Sequence, residues 1–216
     1  QEAVNPDAGK GYLDVHMHLD GNAGQKNQGP QVRLHGLGFG MPSGGQKNYG
    51  PAAEKLISIM DELGIEKAVI MPPPQTQDQS GRFMYEDLME IAGRYPDRIA
   101  FAAGGDKLNP MIMAIDPSSV MPKMRKKFEN SALQMIKDGA AAFGEMTALH
   151  FSFSPRHPFE QTDPDHPLFL LLADIAAKHG LPIDLHMEAL LEDQALPPLL
   201  AGRSPNNPPF IKATIP

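Results

Sequence analysis

Strand-like and helix-like segments alternate along this chain, and this alternation restricts its possible folds more than any other feature. Apolar strand patterns repeatedly end at glycine or proline, and amphipathic helical patterns lie between them. The periodicity predicts strands at 12–19, 67–71, 98–103, 140–147 and 181–187, and helices at 51–63, 81–94, 118–138 and 167–179. Regular alternation of this kind favours a parallel sheet built from βα units, so the predicted fold class is α/β.

The length of 216 residues is enough for one sizeable domain with its own core, and we predict a single domain over 1–216. A long glycine-rich loop at 20–50 follows the first strand. Loops of this length inside a compact domain are commonly functional or disordered.

Charge and composition exclude several classes of function. The net charge is −7 and no basic stripe is visible, so we expect no nucleic-acid partner. No apolar stretch reaches the roughly 18 residues of a membrane span. The chain has no cysteine, so any metal must be held by histidine and carboxylate side chains. Because it begins at Gln1, we expect a periplasmic or secreted protein if a signal peptide has been removed, and a cytoplasmic one otherwise.

The strand at 12–19 carries two histidines on one face. Its polar face presents Tyr12, Asp14, His16 and His18, and its apolar face presents Leu13, Val15, Met17 and Leu19. Residues two apart on a strand point the same way about 6.5 to 7 Å apart, so both imidazoles can converge on one metal ion. We expect the apolar face to be buried; the alternative for the pair is a surface site that binds metal only adventitiously.

A second acid–histidine pattern lies at the end of the strand at 181–187, where Asp184, His186 and Glu188 share a face. Between the two patterns, Glu145 closes a strand of small residues. The C-terminal ends of parallel strands are where α/β folds build their chemistry, and a carboxylate buried there is costly unless paired or metal-bound. The alternatives are a structural histidine and a glutamate that points into water.

Three further residues are candidates for contact with a substrate. Arg33 and His35 lie in the long loop and could grip a substrate carboxylate, although solvated loop residues are an equal alternative. His150 follows Glu145 by five residues and could reach the site or a substrate, or be an ordinary loop histidine.

Four features of the sequence together resemble the amidohydrolase superfamily of metal-dependent (β/α)8 TIM barrels. They are the H-x-H of His16 and His18, the Gly144-Glu145 pair, the Leu185-His186-Met187-Glu188 segment and the stretch 95–102. Within that superfamily the amidohydrolase-2 group, which also contains decarboxylases, is the most similar. The resemblance implies metal ligation by His16 and His18 on the first strand, Glu145 on the fourth and His186 on the fifth.

The resemblance also implies two site residues that cannot be located in this sequence. The family's sixth strand ends in another histidine and its eighth in the aspartate that serves as proton shuttle. A complete barrel typically needs about 250 residues. We therefore expect about the first five βα units of a TIM barrel, with no catalytic base, weak metal binding and little hydrolysis. A second polypeptide, self-association or the missing remainder of a longer chain is then expected to complete the barrel.

The function predicted from this resemblance is a metal-dependent hydrolase that activates water to cleave an amide, ester or lactone in a small molecule. We expect a divalent metal, with zinc favoured and manganese, iron or nickel as alternatives. Two other functions stay open, namely a non-oxidative metal-dependent decarboxylase of the same fold and a non-catalytic binding half-barrel.

Overall fold

Helices and strands alternate through the computed structural model, which describes residues 11–19, 48–79, 83–155 and 157–214. The elements up to residue 104 are β1 (Tyr12–Met17), α1 (Gly50–Leu63), β2 (Ile65–Ile70), α2 (Tyr85–Arg94) and β3 (Ile99–Gly104). Those that follow are α3 (Leu108–Met113), a 3-10 turn (Pro117–Ser119), α4 (Pro122–Lys137), β4 (Ala142–Thr147), β5 (Leu149–His150), β6 (Glu160–Gln161), α5 (Pro167–His179), β7 (Ile183–His186), β8 (Gln194–Ala195), α6 (Pro198–Ala201) and β9 (Phe210–Ile211).

Five of these strands form one parallel sheet in the order β1-β2-β3-β4-β7. The order follows the chain, and at least one helix separates each strand from the next. Strands that neighbour one another in chain order are the arrangement of a (β/α)8 barrel, whereas a doubly wound sheet reverses its order at a switch point. The prediction of an α/β fold corresponding to the first five βα units of a TIM barrel is therefore confirmed.

The chain divides into two compact units. The first comprises Gln1–Met71 and Glu86–Phe101, and the second comprises Pro72–Tyr85 and Ala102–Pro216. Strand β3 contributes to both, because its first three residues pair with β2 and its last three pair with β4. The single domain expected over 1–216 stays a prediction.

Proline and glycine mark the ends of the longer helices, as the sequence predicts. Helix α1 has a proline in its first turn and ends at Gly64, whose φ of 69° lies in the left-handed region that favours glycine. Helix α5 ends in the same way at Gly180, with φ of 67°. The buried face of α1 consists of Ala52, Ala53, Leu56 and Met60, which recur at helical spacing and supply core for the first unit.

The expected burial of the apolar face of the first strand is wrong for half of that face. Met17 and Leu19 are buried, but Leu13 is 66% exposed and Val15 is 63% exposed. Alternation identifies the face that a strand could bury, but burial also requires an element that packs on that face.

Two local predictions also need correction. Helix α4 begins at Pro122 rather than at 118, and the additional helix α3 precedes it. The sequence also predicts a proline-rich loop at 196–209, and this region contains the short helix α6. No helix among the described residues is long and apolar enough to cross a membrane.

Candidate metal centre

In the first unit, His16 lies within β1 and His18 lies two residues further on. The two rings are 4.9 Å apart between centroids and are nearly perpendicular, at 85°. Both side chains are half-buried. The structure therefore brings the two histidines of the predicted pair together at the C-terminal end of β1.

The tautomer of His18 follows from one hydrogen bond. Its Nδ1 atom lies 3.0 Å from the carbonyl oxygen of Met71, the residue after β2. A carbonyl oxygen can only accept, so Nδ1 carries the proton and the lone pair of the ring is on Nε2. Histidines that ligate metals through Nε2 are commonly held in this way, with the other ring N–H donated to a backbone carbonyl.

In the second unit, Glu145 lies in β4 with only 4% of its surface exposed. Its carboxylate accepts a hydrogen bond from His186, with 2.6 Å between Nδ1 of the histidine and Oε1 of the glutamate. Its backbone N–H donates to the carbonyl oxygen of Pro72 at 3.2 Å. A buried carboxylate therefore lies two residues before the end of β4, and His186 is its hydrogen-bond partner.

Gly105 allows the backbone to pack closely beside Glu145. A Cβ atom at this position would lie 2.7 Å from the carbonyl oxygens of Glu145 and Pro72 and 2.8 Å from that of Pro73. The amide of Gly105 donates to Gly144 at 3.3 Å. Only glycine fits where a backbone approaches others this closely, so the position of the Glu145 backbone depends on this residue.

Three histidines are linked in a row that ends at Glu145. Nε2 of His186 lies 2.9 Å from Nδ1 of His150, and Nε2 of His150 lies 3.2 Å from Nε2 of His157. His150 and His157 are buried. The predicted candidate His150 therefore contacts another predicted site residue, whereas His157 was not identified from the sequence. Burial lowers the pKa of His157, and the charge on nearby His186 lowers it further, so the neutral form of His157 is favoured.

Glu160 is a second buried carboxyl group in this unit and was also not identified from the sequence. It is 4% exposed, and its Oε1 atom has no hydrogen-bond partner among the described residues. Burial raises the pKa of Glu160 to about 7, and the negative charge of Glu145 acts in the same direction. Glu160 is paired with His150 through the short β5–β6 ladder, which explains its place beside the histidines.

Buried amides support the end of β4. Asn109 accepts a hydrogen bond from the backbone N–H of Thr147 at 2.9 Å and donates to the carbonyl oxygen of Gln75 at 3.1 Å. Asn109 and Thr147 are fully buried. No sequence pattern singles out Asn109, because its role depends on segments far apart in the chain.

The candidates Arg33 and His35 lie outside the described residues. Of the remaining predicted residues, His16 and His18 are neighbours in the first unit, and Glu145, His150 and His186 are hydrogen-bonded in the second. For His157 and Glu160 the available sequence signal was their closeness to His150 in the chain. Their segment carries no strand or helix periodicity that would mark them as site residues.

The chain is similar to a crystal structure of a probable 2-pyrone-4,6-dicarboxylic acid hydrolase from Acinetobacter baumannii with citric acid bound, with a TM-score of 0.44 and 12% sequence identity. The match covers 83% of this chain and 51% of that chain, so this chain spans about half the length of the hydrolase. No protein-family model and no curated protein matches the sequence.

Proposed function

We propose that this chain carries the metal-binding part of a metal-dependent hydrolase that acts on an amide, ester or lactone bond in a small molecule. The observation that carries the proposal is the donor set of His16, His18 and Glu145, which could hold a metal ion. Two imidazole nitrogens and one carboxylate oxygen suit a catalytic divalent metal, with zinc favoured.

Two of the three proposed ligands, His18 and Glu145, are held by their surroundings. The Met71 carbonyl holds His18 in the tautomer that has its lone pair on Nε2. Glu145 is buried in β4, where an ionised carboxylate is costly unless it is paired or bound to a cation. A divalent metal bound there would lower the pKa of a water molecule and polarise a carbonyl oxygen.

His186 is the fourth ligand expected from the sequence, and its ligation stays a prediction. Both of its ring nitrogens take part in hydrogen bonds, one with Glu145 and one with His150. Ligation through His186 would require one of these bonds to break. The three-residue set of His16, His18 and Glu145 is therefore the core of the proposal.

Metal titration of the purified chain tests the proposal. After removal of bound metal with a chelator, Zn²⁺ is titrated into the wild type, the double variant His16→Ala/His18→Ala and the control His179→Ala. His179 is an exposed histidine in the last turn of α5. We expect one Zn²⁺ per chain in the wild type and the control, and loss of binding in the double variant. Equal binding by all three proteins would overturn the proposal.

A substrate panel tests the reaction class. The zinc-loaded protein is assayed with small lactones, esters and amides for acid release, and with unsaturated and aromatic acids for CO₂ release. Because no catalytic base is expected in this chain, we expect little hydrolysis, and what there is should disappear in the double variant. Metal-dependent CO₂ release without hydrolysis would reject the hydrolase assignment in favour of a decarboxylase.

A further inference from the structure

The row of histidines in the second unit has a defined direction of hydrogen bonding. At its outer end the backbone N–H of Phe153 donates to Nδ1 of His157 at 3.4 Å. With Nδ1 accepting, a neutral His157 carries its proton on Nε2, and the backbone of Phe151 is a further hydrogen-bond partner of the ring. That proton is donated to Nε2 of His150, which leaves the proton of His150 on Nδ1.

The same reasoning applies to the inner end of the row. Nδ1 of His150 donates to Nε2 of His186, so His186 carries its proton on Nδ1. That proton is donated to the Glu145 carboxylate, which can only accept. In this arrangement each ring uses one nitrogen to donate and one to accept. The inner end sets this direction, because the Glu145 carboxylate can only accept.

We call the hydrogen-bonded row of His157, His150 and His186 the histidine relay. Its outer end is held in place by hydrogen bonds to the backbone of His157. The carbonyl oxygen of His157 accepts hydrogen bonds from Oγ of Ser152 at 2.5 Å and from the side-chain amide of Asn206 at 2.8 Å. Asn207 both accepts from the backbone N–H of Ser152 and donates to its carbonyl oxygen. The segment that carries His157 is thus held to the segment around Asn207, so the relay has a fixed starting point.

We propose that His150 and His157 are positioning residues, which act through His186 to hold the Glu145 carboxylate in one orientation for a metal ion. This role rests on the proposed function, whereas the directions of the hydrogen bonds do not. Carboxylates that ligate metals are themselves hydrogen-bonded, and loss of such outer partners typically costs about 10- to 100-fold in metal affinity.

The relay can be tested without any metal. Long-range ¹H–¹⁵N spectra of the ¹⁵N-histidine-labelled, metal-free chain report which ring nitrogen carries each proton. We expect the proton on Nδ1 in His150 and His186 and on Nε2 in His157. A proton on Nε2 of His150 would overturn the relay, whatever the protein does with metals.

Two variants at the outer end test the positioning role. His157→Ala removes the donor to His150, whereas His157→Gln can place an amide N–H near the position of Nε2. For His157→Ala we expect a changed Nε2 signal of His150 and Zn²⁺ affinity that is weaker by about tenfold or more. For His157→Gln and the exposed control His179→Ala we expect affinities close to wild type. If His157→Ala does not fold, the glutamine variant and the wild-type spectra still decide the proposal.

The outcomes separate this inference from the proposed function. If the tautomers are as expected but the wild type binds no Zn²⁺, the relay stands, while the proposed metal centre and the positioning role fail. If the wild type binds Zn²⁺ and His157→Ala binds it equally well, the metal centre stands and the positioning role is overturned.

Discussion

His18 donates its Nδ1 proton to the carbonyl oxygen of Met71 across 3.0 Å, so the backbone after β2 sets the tautomer of a residue that follows β1. The bond fixes the ring whether or not a metal is present. Structural support and metal ligation by this histidine therefore use different atoms, and substitutions can separate them.

We expect His18→Asn to separate the two roles. An asparagine amide can donate to the Met71 carbonyl from a position near that of Nδ1, but it has no atom at the position of Nε2. The free energy of unfolding should stay close to wild type, while Zn²⁺ affinity falls by more than the roughly 10- to 100-fold cost of losing an outer partner. Urea unfolding and a competitive Zn²⁺ titration measure the two effects. Wild-type Zn²⁺ affinity in His18→Asn would contradict ligation by His18.

The raised pKa of Glu160 predicts a pH-dependent stability of the metal-free protein. Burial raises this pKa from an ordinary 4.5 to about 7, so the folded state keeps a proton that the unfolded chain releases near pH 4.5. The free energy of unfolding should therefore fall as the pH rises across this window, by at most about 3 kcal/mol. Below the window both states are protonated and this contribution is constant.

Substitution of Glu160 tests the assignment of that pH dependence. Glu160→Gln cannot titrate, so its unfolding free energy should vary less between pH 4.5 and about 7 than that of the wild type. Glu192→Gln, at an exposed loop position, serves as the control and should keep the wild-type slope. Parallel curves for the wild type and Glu160→Gln in urea unfolding would show that another group is responsible.

Two glycine substitutions should have opposite effects. Alanine at Gly105 would place its Cβ within 2.8 Å of three backbone carbonyl oxygens, which cannot move aside as a flexible side chain can. We expect Gly105→Ala to destabilise the protein by several kcal/mol or to prevent folding, in the range of severe strain and packing defects. Alanine at Gly93 in α2 meets nothing within 4 Å and should stabilise the helix by up to about 1 kcal/mol. Thermal unfolding of both variants measures the contrast, and equal melting temperatures would contradict it.

The two halves of the apolar face of β1 should respond differently to truncation. Met17 is 5% exposed, so Met17→Ala should cost about 2 to 5 kcal/mol. Val15 is 63% exposed, and Val15→Ala should change the free energy of unfolding by roughly 0.5 kcal/mol or less. A large cost for Val15→Ala in urea unfolding would show that the outer part of this face is covered in solution.

Local periodicity was sufficient to predict the order of the main elements. Helices α1 and α5 both end at a glycine, because the left-handed cap conformation favours glycine. This preference depends on a single residue, so it can be predicted from the sequence alone. Alternation also placed His16 and His18 on one face and Glu145 at a strand end. Alternation could not predict which element packs on each face of a strand. The exposure of Leu13 and Val15 shows this.

The histidine relay was only half predictable. His150 and His186 were candidates because each lies at or just after a strand end, but His157 lies in an irregular segment without periodicity. Its position depends on contacts such as that between Ser152 and Asn207, which are 55 residues apart. Contacts over such a distance leave no local trace in a single sequence.

The described strands of the sheet should differ in how readily they open locally, because β3 has a neighbouring strand on both sides. Strand β3 pairs with β2 along its first three residues and with β4 along its last three, whereas β1 pairs with β2 alone and β7 with β4 alone among the described strands. Deuterium should therefore enter the amides of β1 long before those of β3. Since β1 carries His16 and leads directly to His18, a metal that binds these histidines would slow exchange in this edge strand. The proposed metal would then stabilise one of the two edge strands of the described sheet against local opening.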